Sequence, residues 1–238
     1  MKNLLFLGLL AFTLGACRKD AEKDVQPDYA DWYALRAPDN RAIEAVSGDI
    51  DGTLVITTGF KIYQTKDRGK TWLTANYTDR NGLFGFLQRN DTLLAFTSQL
   101  GTALPTSIAY AAQPSYYSID KGAQWQPYRN WERKNNFMPR IARNQAVSPS
   151  SGTAYSIDIL LTPINPGTSS SYIETVGIMT AAGRKLTLPQ THQINSLYFD
   201  TKSRLYVAAS AALCGRNEKF AFCGEQNGVL YVSKEPQL

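Results

Sequence analysis

The chain is built around one turn that it spells out twice. Thr65-Lys66-Asp67-Arg68-Gly69-Lys70-Thr71-Trp72 returns as Ser118-Ile119-Asp120-Lys121-Gly122-Ala123-Gln124-Trp125, and each copy stands two residues after a tyrosine, Tyr63 or Tyr116. The two aspartates are 53 positions apart. Each fixed position has a physical task. The tyrosine belongs on a strand. The Ser/Thr hydroxyl and the Asp carboxylate can accept backbone N–H groups in a tight loop, as Asx- and ST-turns do. The glycine takes a corner with φ above zero. The tryptophan opens the returning strand and packs under the turn. Asp67 and Asp120 therefore serve a turn on a solvated edge rather than a reaction. An internal period of this length marks a repeat array or a propeller.

The pattern resembles the Asp-box, or bacterial neuraminidase repeat, which sits between the third and fourth strands of propeller blades. The resemblance rests on Thr65, Asp67, Gly69 and Trp72 in one copy and on Ser118, Asp120, Gly122 and Trp125 in the other. It implies an all-β chain folded as a β-propeller of four-stranded antiparallel blades. The likeness to sialidases covers these turns only. Those enzymes are longer and six-bladed, and they use three arginines on the sugar carboxylate, a Tyr–Glu nucleophile pair and an aspartate acid/base. Their Phe/Tyr-Arg-Ile-Pro motif is absent here; Met138-Pro139-Arg140-Ile141 scrambles it.

With the two turns as rulers, further repeats emerge. The β-rich runs 53–57, 92–96, 153–157 and 204–208 each follow a turn signal, at 49–52, 89–91, 148–152 and 200–203. Before each turn lies another strand candidate, at 42–46, 83–87, 140–146 and 194–199. Bounded, alternating runs of this kind are strand signals, and repeated hairpins argue for an all-β fold. A third, degenerate copy of the turn runs from Thr180 to Leu186, with Gly183 kept, Ala181 at the aspartate and Leu186 at the tryptophan. A fourth begins at Tyr231-Val232-Ser233-Lys234-Glu235, and the sequence stops at Leu238. Asp31-Trp32-Tyr33-Ala34-Leu35 resembles what should follow such a turn. The N-terminal segment is thus expected to supply the outer strand of the last blade and close a ring of four blades over residues 28–238. Closure protects edges that would otherwise pair with other chains.

The N-terminus carries a different message. Met1-Lys2-Asn3 and the apolar run Leu4 to Leu14 read as a secretory signal over residues 1–16, too short for a permanent membrane span. The run ends Leu14-Gly15-Ala16-Cys17, which resembles the bacterial lipobox, in which the cysteine is lipidated. Several acyl chains give stable anchoring where one is marginal. Residues 17–27 form a charged tether. Arg18 rather than aspartate follows the cysteine, which by resemblance to lipoprotein sorting rules implies the outer membrane of a bacterial cell envelope. Of the two other cysteines, Cys214 and Cys223 stand nine positions apart and can close a loop as a disulfide in an oxidising compartment. The alternative is a metal pair, which a single histidine, His192, poorly supports.

Function is less legible. In a blade of strands A to D, the A–B and C–D turns share one face and the B–C and D–A connections share the other. The B–C connections at 98–114, 162–171 and 210–228, and the D–A connection at 126–139, are long, and long loops on a rigid scaffold carry binding. Their aromatic and basic residues are the candidate ligand contacts: Tyr110, Tyr128, Arg129, Trp131, Arg133, Tyr172 and Arg216, with Lys134 beside them. Trp and Tyr stack on sugars or fill protein pockets, and Arg grips carboxylates. Acidic residues there are sparse, namely Asp79, Glu132, Glu174, Glu218 and Glu225, whereas ordinary glycosidases need two carboxylates flanking the bond. His192 has no visible nucleophile partner and reads as a surface residue. No cofactor, metal or catalytic residue is expected, since Gly-rich phosphate loops are missing too. The net charge of +5 is dispersed apart from 129–143 and reads as solubility, with no nucleic-acid partner. The expected function is a lipid-anchored, non-catalytic module that binds protein or glycan. The alternatives are a sialidase-like glycoside hydrolase and an assembly or stability factor for an envelope complex. Convergent carboxylates on the loop face would favour the hydrolase, and an exposed aromatic patch would favour binding.

Overall fold

The computed structural model describes residues 27–101, 104–129 and 139–238. The signal, Cys17 and the tether up to residue 26 lie outside the described residues, as do Trp131, Glu132, Arg133 and Lys134. After β1 (Trp32–Arg36), blade one comprises β2 (Ala45–Gly48), β3 (Leu54–Thr57), β4 (Ile62–Thr65) and β5 (Leu73–Thr74). Blade two comprises β6 (Gly85–Arg89), β7 (Thr92–Leu100), β8 (Tyr110–Ser118) and β9 (Gln126–Pro127), with β10 (Arg140–Ala142) added beside β8. Blade three comprises β11 (Gln145–Val147), β12 (Ala154–Pro163), β13 (Ser171–Thr180) and β14 (Lys185–Leu186). Blade four begins with β15 (Ile194–Phe199) and β16 (Leu205–Ala209), passes through a small hairpin, β17 (Leu213–Gly215) and β18 (Ala221–Phe222), and returns as β19 (Val229–Ser233). Its fourth strand is β1, so the sheet runs β15-β16-β19-β1 and the chain is a four-bladed β-propeller closed by its own N-terminal strand.

Strands β3 and β16 are buried throughout because their blades are packed on both faces. Along β16, Leu205 and Val207 join the core shared with blade three, and Tyr206 and Ala208 join the core shared with blade one. Along β3, Leu54 and Ile56 face blade four while Val55 faces blade two. The period-two alternation of a strand thus distributes side chains between two neighbours, and no face is left for water. The closing strand obeys the same rule. Trp32 and Ala34 belong to the core with blade three, and Leu35 to the core with blade one.

The run read as one strand over 140–146 is two strands, β10 and β11, broken at Arg143 and Asn144. Arg143 turns inward to pair with Glu44 at 2.7 Å. Asn144 caps the neighbouring connection, accepting from Ala109 N at 2.9 Å and donating to Ser107 O at 2.9 Å. Polar groups that find partners off the ladder end the pairing there.

The repeated turns share one hydrogen-bond plan. Thr65 Oγ1 accepts from Gly69 N at 3.0 Å and donates to Asp67 Oδ1 at 2.8 Å. Asp67 then accepts from Thr71 N at 2.9 Å and Thr71 Oγ1 at 2.6 Å. Ser118 Oγ accepts from Gly122 N at 2.8 Å and donates to Asp120 at 2.7 Å, and Asp120 accepts from Gln124 N at 2.9 Å. Two consecutive residues take positive φ in each copy, Arg68 and Gly69, then Lys121 and Gly122. The glycine is also a contact point. A Cβ on Gly122 would stand 2.6 Å from Val55 of blade one, and one on Gly69 would stand 3.0 Å from Leu35 of β1. Each turn is therefore seated against the blade before it. Trp125 is buried beneath its turn, donating Nε1–H to Gly122 O at 2.9 Å, whereas Trp72 is half-buried. In the degenerate third copy, Thr180 Oγ1 still accepts an N–H, from Arg184 at 3.0 Å, but nothing lies within 4 Å of where a Cβ on Gly183 would be. Losing the aspartate and tryptophan goes with losing the seat.

These bonds set a pH-dependent expectation. The hydroxyl and N–H of Thr71 hold the Asp67 carboxyl down to about 2. Asp67→Ala and Asp120→Ala should each lower unfolding free energy by about 1–2 kcal/mol at neutral pH. A depressed carboxyl contributes fully above its unfolded value near 3.9 and loses its contribution as pH falls toward 2. Denaturant titrations at pH 7 and pH 2.5 should show the Asp67→Ala difference at the first and most of it gone at the second.

Candidate binding face

The three long B–C connections are not loops of the kind the sequence suggested. In blade one the connection is a tight turn, with Thr58 N donating to Lys61 O at 3.1 Å. In blades two and three the B and C strands continue past the blade as two-stranded arms, β7–β8 and β12–β13. Tyr110 and Tyr172 are therefore strand residues. Among the described residues the turns fall at Leu104–Ser107 and Ile164–Ser170. Register shifts between Ala95 and Phe96 and between Asp158 and Ile159 mark where the arms leave the blades, as bulges that bend and twist a strand do.

In blade four the connection folds as the β17–β18 hairpin, closed by a Cys214–Cys223 disulfide with Cα atoms 5.0 Å apart. The hairpin is tied down by Leu213 N to Thr191 O at 2.8 Å and Cys223 N to Ala212 O at 2.9 Å. Between this hairpin and the upper part of β13 lies a cleft of about 410 Å³. Tyr172, Ile173, Glu174 and Val176 form one wall, Leu213, Arg216, Asn217 and Phe220 the other, and residues 187–194 the floor.

Fixed polar contacts hold the walls. Arg216 grips Glu174 with two bonds of 2.8 Å, a bidentate geometry that gives direction as well as strength. Its guanidinium holds the Glu174 carboxyl below the usual range. Thr175 Oγ1 donates to His192 O at 2.8 Å and accepts from Ile194 N at 2.7 Å.

His192, expected at the surface, is buried at 2% exposure. Its Nδ1 lies 2.8 Å from Ser210 O, so that nitrogen carries the proton, and Nε2 accepts from the Tyr231 hydroxyl at 2.9 Å. Burial pushes the imidazole below its ordinary value against the opposing pull of the Ser210 carbonyl. The ring is a satisfied core group under the cleft floor.

The structure gathers only part of the sequence-named set. Tyr172 and Arg216 meet in the cleft. Tyr110 lies on β8 with the Arg140 guanidinium 4.3 Å over its ring. Tyr128 packs edge-on against Tyr117 beside blade two, 6.2 Å between centroids. Arg129 is exposed. Three of the five carboxylates named from the sequence are held by separate partners: Glu174 by Arg216, Glu225 by Arg36, and Asp79 by the Tyr116 hydroxyl. Among the described residues no group of three His, Cys, Asp or Glu side chains could hold a metal ion. Sequence reading missed Ile173, Val176, Phe220 and Asn217. The two phenylalanines flanking Ala221 beside Cys223 were the one available signal, since a stapled hairpin has no core in which to bury them.

A second groove, of about 1100 Å³, runs past Tyr29, Arg36, Trp72, Cys223 and Tyr231. The B–C arms carry most of the exposed apolar surface: Leu100, Leu104 and Ile108 on blade two, Leu160, Leu161, Ile164, Ile173 and Val176 on blade three, and Phe220 and Phe222 on the hairpin.

No protein-family model matches this chain, and no curated protein matches it. Among solved structures, it is similar to the computationally designed Ika8 protein, at 9% identity over 83% of this chain and 98% of that one, with a TM-score of 0.32. It is also similar to YCF48 from Cyanidioschyzon merolae, at 12% identity over 87% of this chain and 86% of that one, with a TM-score of 0.28.

The disulfide should matter locally. Replacing Cys214 and Cys223 together by serine removes a short loop constraint of about 2–3 kcal/mol. Hydrogen exchange should then quicken across residues 211–224 and stay unchanged in β3 and β16. Equal exchange in both proteins would show that the hairpin is held by packing alone.

Proposed function

We propose that this chain is a lipid-anchored Asp-box propeller that serves as a non-catalytic binding module in the bacterial cell envelope, held at the outer membrane through Cys17. The observation that carries the binding reading is the exposed apolar surface collected on the B–C arms and the stapled hairpin. Apolar patches of this kind on a soluble domain mark interaction sites. The arms stand on a closed scaffold, so a ligand meets a surface already in place. Hydrolysis of a glycosidic bond asks for two carboxylates set on either side of it, and here Glu174, Asp79 and Glu225 are each engaged by a different partner. A protein ligand suits the face better than a glycan, because most of its exposed surface is aliphatic rather than aromatic.

Photo-crosslinking in cells tests this reading. A photoreactive residue at Leu161, on an arm, should give discrete adducts. One at Ile119, exposed on the opposite face in the second turn, should give none. Both variants should fractionate with membranes, and Cys17→Ser should release them. Adducts from Ile119 alone would overturn the binding face, and membrane association of the Cys17→Ser protein would overturn the anchor.

A further inference from the structure

Blades two and three are built alike up to one point. Counting back from the turn hydroxyls Ser118 and Thr180, Ala111 and Ala112 of β8 stand where Ile173 and Glu174 of β13 stand. In blade two this upper part of the C strand has a partner on its outer side, because β10 pairs there antiparallel, with Arg140 opposite Ala112 and Ala142 opposite Tyr110. In blade three the outer strand β14 pairs only with Ile178 and Met179. Beyond Leu186 the chain leaves β13, and the 410 Å³ cleft opens in the place that β10 fills in blade two. Among the described residues no strand pairs with the outer side of 171–177; Thr175 reaches His192 and Ile194 through its hydroxyl rather than its backbone.

An unpaired strand edge offers N–H and C=O groups at ladder spacing, and only another extended polypeptide backbone matches that spacing. Glycans and small anions do not. The walls select side chains: Phe220 of the hairpin, 56% exposed, stands across the cleft from Ile173 of β13, 50% exposed. Glu174 and Arg216 already satisfy each other, so the cleft asks for no charge. Asn217, beside Arg216 and Phe220, completes that wall of the cleft.

We infer that the cleft takes an extended segment of a partner protein, which adds as a strand beside residues 171–177 of β13 with apolar side chains at every second position. The inference rests on the binding reading above and names its ligand class. β10 on β8 is its precedent within the same molecule.

The test uses peptide backbones, so that folding of the protein is not at stake. Twelve-residue peptides are selected from a random display library against the full chain, and the best binder is resynthesised with single N-methyl groups along its length. Strand addition predicts about tenfold weaker binding when alternate N–H groups are blocked and less than twofold change at the positions between. Hydrogen exchange should show protection centred on 171–177, and Phe220→Ala should weaken the unmodified peptide. N-methylation tolerated equally everywhere, protection elsewhere on the molecule, or a selection that yields no binder would each overturn strand addition. If Leu161 still gives adducts in cells while any of these three results holds, the binding face stands and its ligand is not a strand.

Discussion

The antiparallel pairing of β1 with β19 is the contact on which the rest of the structure depends. It joins Trp32 to Ser233 and Arg36 to Val229, residues from opposite ends of the chain. Through it, Trp32 and Ala34 reach the core with blade three while Leu35 reaches the core with blade one. A propeller blade has no solvent face to retreat to, so a blade lacking its outer strand would expose both a strand edge and two apolar surfaces. The seam is fastened again on the turn side. Gly69 lies against Leu35, and Arg204 of blade four binds Asp51 of blade one at 2.7 Å and its own blade's Asp200 at 2.8 Å. The hydrogen bond from Arg204, joined by those from Lys202 and Arg68, holds the Asp51 carboxyl well below the usual range. The Tyr206 hydroxyl donates to Asp200 at 2.9 Å and accepts from Ile50 N at 2.9 Å, so the network reaches the core without leaving these groups unsatisfied.

How much of this was legible in the sequence depended on the range of the interactions. The repeated turns could be read because their chemistry is local: a hydroxyl, a carboxylate and a glycine within five residues fix one geometry. Strands β3 and β16 could be read because burial on both faces makes them nearly all apolar. Closure by Trp32 could be read only because the spacing of two complete turns said what should follow the incomplete fourth. His192 could not be read. Its partners, Ser210 and Tyr231, lie 18 and 39 residues away, and a lone histidine carries no mark of them. The ends of the arms were mistaken for loops because segments such as Ser98–Leu100 and Thr162–Pro163 are strands that run past the blade core and lack the buried alternation that signals a strand. The break between β10 and β11 was hidden for the same reason: Arg143 finds Glu44 across 99 residues.

The same division runs through function. The repeated turns are set by short-range rules, and residues that line the cleft are brought together from three separate connections. Tyr172 comes from an arm of blade three, Arg216 and Phe220 from the stapled hairpin of blade four, and Gln190 from the segment joining those blades. Blades three and four hold their relation through a core to which Trp32 and Tyr231 both belong, their rings edge-on with centroids 6.2 Å apart.

That dependence makes closure the claim to test, and thermal melts of two shortened chains test it most directly. One begins at Pro27 and keeps β1; the other begins at Ala37 and lacks it. The first should melt cooperatively at the temperature of the longer protein. The second should lose the cooperative transition or aggregate, because β19 would present an unpaired edge. Equal melting of both would show that β1 is an accessory to the ring, and would contradict the account of how the cleft is held.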